Sequence, residues 1–348
     1  MSRFTKLAIY RTARALGLFR LARFLTRDRL RILAYHGFSD GDAVRFRPKL
    51  FISGAAFRRR LETLERIGMP VVTLDAAVAG LRSGKLPGDA VVITVDDGYA
   101  STLTVAAPLL AVHRVPATVY VTTYHVDKQT PVFDVCLAYL LWRAPRSPLR
   151  LDPSESPSAI WPMQTAADRE RALNDLLAQA HAMTSEDARQ SLLRQVAEAS
   201  GIDFDRVLAS DEFRLLAATE LAALARQGVT VGMHTHRHRF PPRDLECCRQ
   251  EVARNAARLT EITGQVPRHF CYPSGVYNPE QWALLDEAGV LSSVTCDTGL
   301  VRATDPPHGL PRFVDGEMVT DIEFEAEVCG FSPLLRGLLG VHRSGGAA

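Results

Sequence analysis

The chain has 348 residues, of which 47% are apolar and 23% charged, and a formal net charge of +2. This composition fits a water-soluble globular protein long enough for one large core, and so small a charge gives no reason to expect a nucleic-acid partner. No apolar run approaches the roughly 20 residues of a membrane span, and the apolar segment of a secretory signal is missing.

Residues 1–29 are predicted as a basic amphipathic helix. Lys6 and arginines from Arg3 to Arg29 face one acid, Asp28, and Leu7, Tyr10, Leu16, Leu18, Phe19, Leu21, Phe24 and Leu25 lie among them. Such a helix either lies on an anionic membrane surface or docks on its own domain with the basic face in water. From residue 30 onward β-like runs alternate with helical ones. Residues 30–36 form an apolar run ending at His36, 55–67 look helical and stop at Gly68, and 71–74 are extended. AVVITV (90–95) ends in Asp96-Asp97-Gly98, and ATVYVT (117–122) follows Pro116. A helix over 219–227 stops at Gly228, VTVGM (229–233) runs into GMHTHRH, and HFCY (269–272) leads to Pro273 and Gly275. Asn278-Pro279 is a helix start, and 291–295 is again extended. This alternation predicts β-α units around a parallel sheet, in one domain over 30–330 with a tail at 331–348.

Between about 125 and 215 the rhythm breaks. No β-run is apparent there, prolines mark a loop, and 167–200 is helical, with Thr184 and Asp187 fitting a capping box; the stretch reads as a helical insertion. The six cysteines show no CxxC pair, which suggests free thiols in a reducing compartment.

His36, Asp96-Asp97, His234 to His238 and Tyr272 to Gly275 all fall where predicted strands end, the edge at which parallel sheets and barrels carry ligands. Two adjacent carboxylates leaving a strand point apart, so one can bind a cation while the other acts as a base. A carboxylate with two histidines leaves coordination positions open, as a catalytic zinc needs. Spacing alone leaves the histidines undecided: on a strand His234, His236 and His238 share a face, on a helical turn only the first and last do.

TVDDGY (94–99), His234-Thr235-x-x-His238 and FCYPSG (270–275) together resemble the polysaccharide deacetylase family, also called the NodB-homology or carbohydrate esterase 4 family, over about residues 30–316. The resemblance implies a distorted (β/α)7 barrel that hydrolyses N-acetyl groups of amino-sugar glycans. It implies Asp97, His234 and His238 as metal ligands, with His236 turned elsewhere, Asp96 as general base, and Thr235 as a brace for the loop. It further implies a backbone N–H near Tyr272 as an oxyanion donor, with Pro273 and Gly275 shaping that loop. One divalent metal is expected; Zn2+ fits, and Co2+, Ni2+ or Fe2+ fit the same ligands.

The chain departs from the commonest family pattern in three places. A late Leu-x-His acid is missing, and LAYH (33–36) resembles instead the early Tyr-His motif of the branch with a circularly permuted barrel, which makes His36 the acid. The third-motif arginine is Cys271, for which Arg312 in LPRFVDG is the substitute to expect, and the fourth-motif tryptophan is missing near CDTGL (296–300). The expected partner is an N-acetylated glycan, lipid-linked or nascent in exopolysaccharide assembly, met by a cytoplasmic enzyme held at the inner membrane face through residues 1–27. The alternatives are a deformylase of a lipid-linked formamido sugar and a lapsed metal- or glycan-binding module.

Overall fold

The structure, a computed structural model, describes residues 3–151, 160–183, 185–210 and 212–340. Two segments of chain, 1–127 and 216–348, form one compact unit, and residues 128–215 form another.

Seven parallel strands build the first unit: β1 (Arg31–Tyr35), β2 (Val91–Val95), β3 (Thr118–Val121), β4 (Thr230–Met233), β5 (His269–Cys271), β6 (Ser292–Val294) and β7 (Phe313–Val314), in the order β6-β5-β4-β3-β2-β1-β7. The ring closes where the run into β7 meets β6: the Leu310 amide donates to Ser293, and its carbonyl accepts from Thr295. The result is a distorted (β/α)7 barrel. β1 and β2 are buried at every position, as strands covered on both faces must be. Their side chains alternate. Leu33, Ile93 and Val95 pack outward against the helices, whereas Ile32 and Val92 join a separate cluster with Tyr120, Cys271 and Leu310.

The helices begin where the sequence supplies caps. Ser53 Oγ accepts from the Ala56 amide at the start of the helix Gly54–Arg66, and Asp244 caps Leu245–Thr263, which ends on left-handed Gly264. Asn278 and Pro279 start a helical turn as expected. The extended reading of 71–74 holds only in part: Val71 bridges to Val91 and Thr73 is still extended, but Thr73 caps a helix that starts at Leu74 and runs to Ser83. The β-branched pair Val71-Val72 continues as a strand would, but Thr73 takes the Ala76 amide on its hydroxyl, and with Asp75 in the first turn this begins a helix.

The amino-terminal arm is two helices, α1 (Arg3–Ala15) and α2 (Leu18–Leu25), because Gly17 between them takes a left-handed φ of 76°. The expected tail likewise contains a helix. After α3 (Asp321–Val328), Gly330 turns the chain into α4 (Phe331–Leu338). Residues 341–348, with His342, lie outside the described residues.

Residues 128–215 contain helices over Phe133–Arg143, Ala166–Ala182, Glu186–Ala199 and Phe204–Ala209. They also contain an antiparallel pair, Leu149–Arg150 with Ile160–Trp161, that is too short to show as a β-run in the sequence. The capping box expected of Thr184 lies outside the described residues. Ser185 caps the helix it precedes, and a capping box forms at Thr165 and Asp168 instead.

Candidate active site

All the strand-end motifs arrive at one end of the barrel. Asp96 and Asp97 leave β2 by different routes. Asp96 continues the alternation of Val92 and Thr94, while Asp97 turns away in a left-handed conformation with φ 68°. That geometry costs a non-glycine residue of the order of 1–3 kcal/mol and clusters where function demands it. Thr235, at φ 64°, and His238, at φ 54°, share it.

This backbone brings Asp97, His234 and His238 together. His234 Nε2 is 3.2 Å and His238 Nε2 3.5 Å from Asp97 Oδ1, and a ligand atom of each of the three residues lies within 4.8 Å of the others. His234 Nδ1 donates to the Cys271 carbonyl at 2.8 Å, which leaves Nε2 facing Asp97, where it donates when protonated and offers a ligand lone pair when neutral. Burial tends to raise the Asp97 carboxyl, but the hydrogen bond from His234 and the charges around it hold it well below the usual carboxylate range. A carboxylate, two converging imidazole nitrogens and a fixed tautomer are the donor set of a divalent cation with open positions. His236 stands apart: its Nδ1 meets Thr123 Oγ1 at 2.9 Å, and its carbonyl accepts from the Tyr124 amide. Thr235 Oγ1 accepts from the Arg239 amide, bracing the loop.

Asp96 has a different partner. Arg312 Nη1 and Nη2 donate to its two oxygens at 2.8 and 2.7 Å, and both side chains are essentially fully buried. The guanidinium also reaches Thr94 Oγ1, the Thr295 carbonyl and Cys271 Sγ. Burial raises the Asp96 carboxyl; the Arg312 charge and hydrogen bonds outweigh it and leave the group ionised. Arg312 therefore contacts Asp96 beside Cys271, the position where the arginine would stand in the commoner pattern. His36 lies next to Asp96, with Nε2 3.6 Å from Oδ2 and Nδ1 lacking a hydrogen-bond partner among the described residues. Burial lowers its pKa, against the pull of Asp96 and Asp97.

The third loop narrows which amide near Tyr272 is available. The Tyr272 amide is engaged, donating to the Val294 carbonyl at 3.3 Å. Pro273 has no N–H, so the first uncommitted amide is that of Ser274, an exposed residue at φ 56° for which the described residues supply no acceptor. Pro273 is buried, and Gly275 must be glycine: its φ is +69°, and a Cβ there would sit 2.6 Å from Cys296 Cβ.

Two supports escape the sequence reading. On the helix Leu245–Thr263, Asn255 Oδ1 accepts from the His234 amide while its Nδ2 donates to the Val121 carbonyl and Thr123 Oγ1. One turn earlier, buried Glu251 accepts from both the amide and the side chain of Arg237. Polar residues four apart on the inward face of that helix are the signal for both.

Residues 83–292 match the sequence profile of the polysaccharide deacetylase family. The chain belongs to that family. Membership makes this deacetylase a hydrolase of carbon–nitrogen amide bonds that removes N-acetyl groups from glycans. No curated protein matches it significantly. Among solved structures, the deacetylase is similar in fold to IcaB from Ammonifex degensii, at 19% identity and TM-score 0.57, covering 87% of this chain and 97% of that one. The deacetylase PplD from Streptococcus pyogenes in complex with acetate is 16% identical over 86% and 98% of the two chains, with TM-score 0.56. A de-N-acetylase from Aggregatibacter actinomycetemcomitans gives 16% identity, 84% and 97% coverage and TM-score 0.51.

Proposed function

We propose that this family member is a metal-dependent de-N-acetylase of an amino-sugar glycan, with Asp97, His234 and His238 as metal ligands, Asp96 as general base and His36 as general acid. A divalent cation bound at the three ligands, Zn2+ fitting their chemistry, would polarise the amide carbonyl and lower the pKa of the attacking water. Asp96 is the group free to receive that water's proton, because Asp97 is committed to the histidines and Arg312 keeps Asp96 ionised. The Ser274 N–H supports the oxyanion of the tetrahedral intermediate, a donor of the kind worth about 3 kcal/mol. Protonated His36, 3.6 Å from Asp96, hands its proton to the departing amine; the products are acetate and a free amino sugar. The early Tyr35-His36 pair supports assignment to the branch in which this histidine is the acid.

The observation that carries this reading is the division of labour between the adjacent aspartates: one sits among imidazoles, the other on a buried guanidinium. It also argues against a lapsed binding module, which needs no second, ionised carboxylate. The test is Asp96→Asn, assayed for acetate release from N-acetylated amino-sugar oligomers alongside metal content. Lost turnover with retained metal is expected; unchanged turnover removes Asp96 from the mechanism. Release of formate from a formamido sugar in place of acetate would identify the acyl group as formyl.

A further inference from the structure

The two amino-terminal helices dock through one face only. Tyr10 and Ala13 of α1 and Phe19 and Ala22 of α2 are buried, the Tyr10 hydroxyl accepts from Ser332 Oγ, and Lys6 and Arg14 pair with Glu323 and Glu325 of α3. The opposite face of α2 is apolar: Leu18, Leu21, Phe24 and Leu25 recur at helical spacing and are 39–62% exposed. Leu16 in the turn before it is 71% exposed, and α4, which packs on α2, ends in exposed Leu338 and Leu339. Arg20 and Arg27 stand exposed on and beside this face, the Arg27 guanidinium 5.1 Å from the Phe24 ring centre, with no acidic partner among the described residues.

We infer that this face docks on an anionic lipid bilayer, at the end of the barrel opposite the active site. A bilayer supplies both apolar depth for the leucines and Phe24 and phosphate charge for the arginines. A second copy does not: an isologous contact would press one arginine-studded surface on another. The placement follows from the strand ends. Thr26, just after α2, accepts from Arg31 at the start of β1, and Arg23 pairs with Asp89 just ahead of β2. His36, Asp96 and Asp97 lie beyond the other ends of those strands. A five-residue strand separates the two surfaces by about 16 Å. The bound enzyme thus presents its catalytic end to a glycan reaching away from the membrane, rather than to a sugar seated at the headgroups.

The test is co-sedimentation of the full chain with phosphatidylcholine vesicles, with and without phosphatidylglycerol. Binding is expected only with phosphatidylglycerol, weakening as salt rises, and falling about tenfold or more in Leu21→Ser/Phe24→Ser and in Arg20→Glu/Arg27→Glu. These side chains are exposed, so the variants should unfold at the wild-type denaturant midpoint. Absence of wild-type binding overturns the inference. So does equal binding by the variants, or loss in them of a dimer seen by sedimentation. The orientation has its own measurement: vesicle-bound enzyme should cleave a water-soluble N-acetylglucosamine oligomer as fast as free enzyme, and suppression on binding overturns it. That arm rests on the proposed deacetylase reaction. If free enzyme fails on acetamido and formamido sugars alike, that reaction is what has failed, and the vesicle result stands.

Discussion

Arg312 and Asp96, 216 residues apart in sequence, form a two-pronged, fully buried ion pair. With Asp96 as the proposed base, this geometry gives the arginine the part of a positioning residue. Lysine keeps the charge but cannot reproduce two parallel hydrogen bonds. Arg312→Lys should lower kcat roughly a hundredfold, with KM and metal content little changed, as a misplaced base would. Steady-state kinetics with elemental analysis checks this, and a change confined to KM would contradict it.

The same pair predicts a pH dependence of stability. Asp96 is held below its ordinary value of 3.8, so it stabilises the fold above that pH and the contribution is lost as pH falls through the lower native pKa. In Arg312→Met, burial has no opposing charge and raises the carboxyl instead. This variant should be less stable by about 3–5 kcal/mol at neutral pH, and the deficit should shrink as the solution is acidified and Asp96 becomes neutral. Denaturant unfolding of both metal-free proteins across a pH series reads this out.

Metal content should separate the three clustered histidines. His234→Ala and His238→Ala should lose the ion, whereas His236→Ala, whose ring bonds to Thr123, should keep it. Zinc at a hundredfold excess over its Kd should stabilise wild type and His236→Ala by about 2.7 kcal/mol, and the other two variants hardly at all. Chelation should abolish hydrolysis in step with that loss.

His36→Gln keeps a side chain of similar reach but cannot deliver a proton. It should lower kcat about 100- to 10,000-fold on an amide substrate. An activated ester that needs no protonated leaving group should be cleaved almost as fast as by wild type. Equal losses on both substrates would make His36 a structural residue.

Gly275→Ala combines a left-handed φ with a contact of 2.6 Å to Cys296 Cβ. A stability loss of about 1–3 kcal/mol and reduced turnover are expected, because the adjacent Ser274 amide moves with the loop. Adding Cys296→Gly removes the clashing atom and should restore part of both, which thermal unfolding and kinetics would show.

Much of this was legible in the sequence because it is local. The almost unbroken apolar run AVVITV marks a strand buried on both faces, Ser53 and Asn278 cap helices through their nearest neighbours, and Asp96-Asp97 and the histidine run sit where apolar runs stop. Gly17 was equally visible, yet its break between two helices depends on α2 finding a docking face. The seventh strand, Phe313–Val314, is two residues long and exists only because β1 lies ready to pair with it.

The choice among the histidines could not come from spacing. It required left-handed turns at Asp97, Thr235 and His238, and the Cys271 carbonyl 37 residues from His234 to fix a tautomer. Nor could a sequence show which amide in FCYPSG is uncommitted, since that depends on Val294 in the neighbouring strand. Sequence determines what each segment can do by itself, through periodicity, caps and donor chemistry. Only closure of the barrel decides which distant groups are desolvated together. There, removal from water makes the Arg312–Asp96 pairing obligatory and keeps an ionised carboxylate beside the Asp97–histidine cluster.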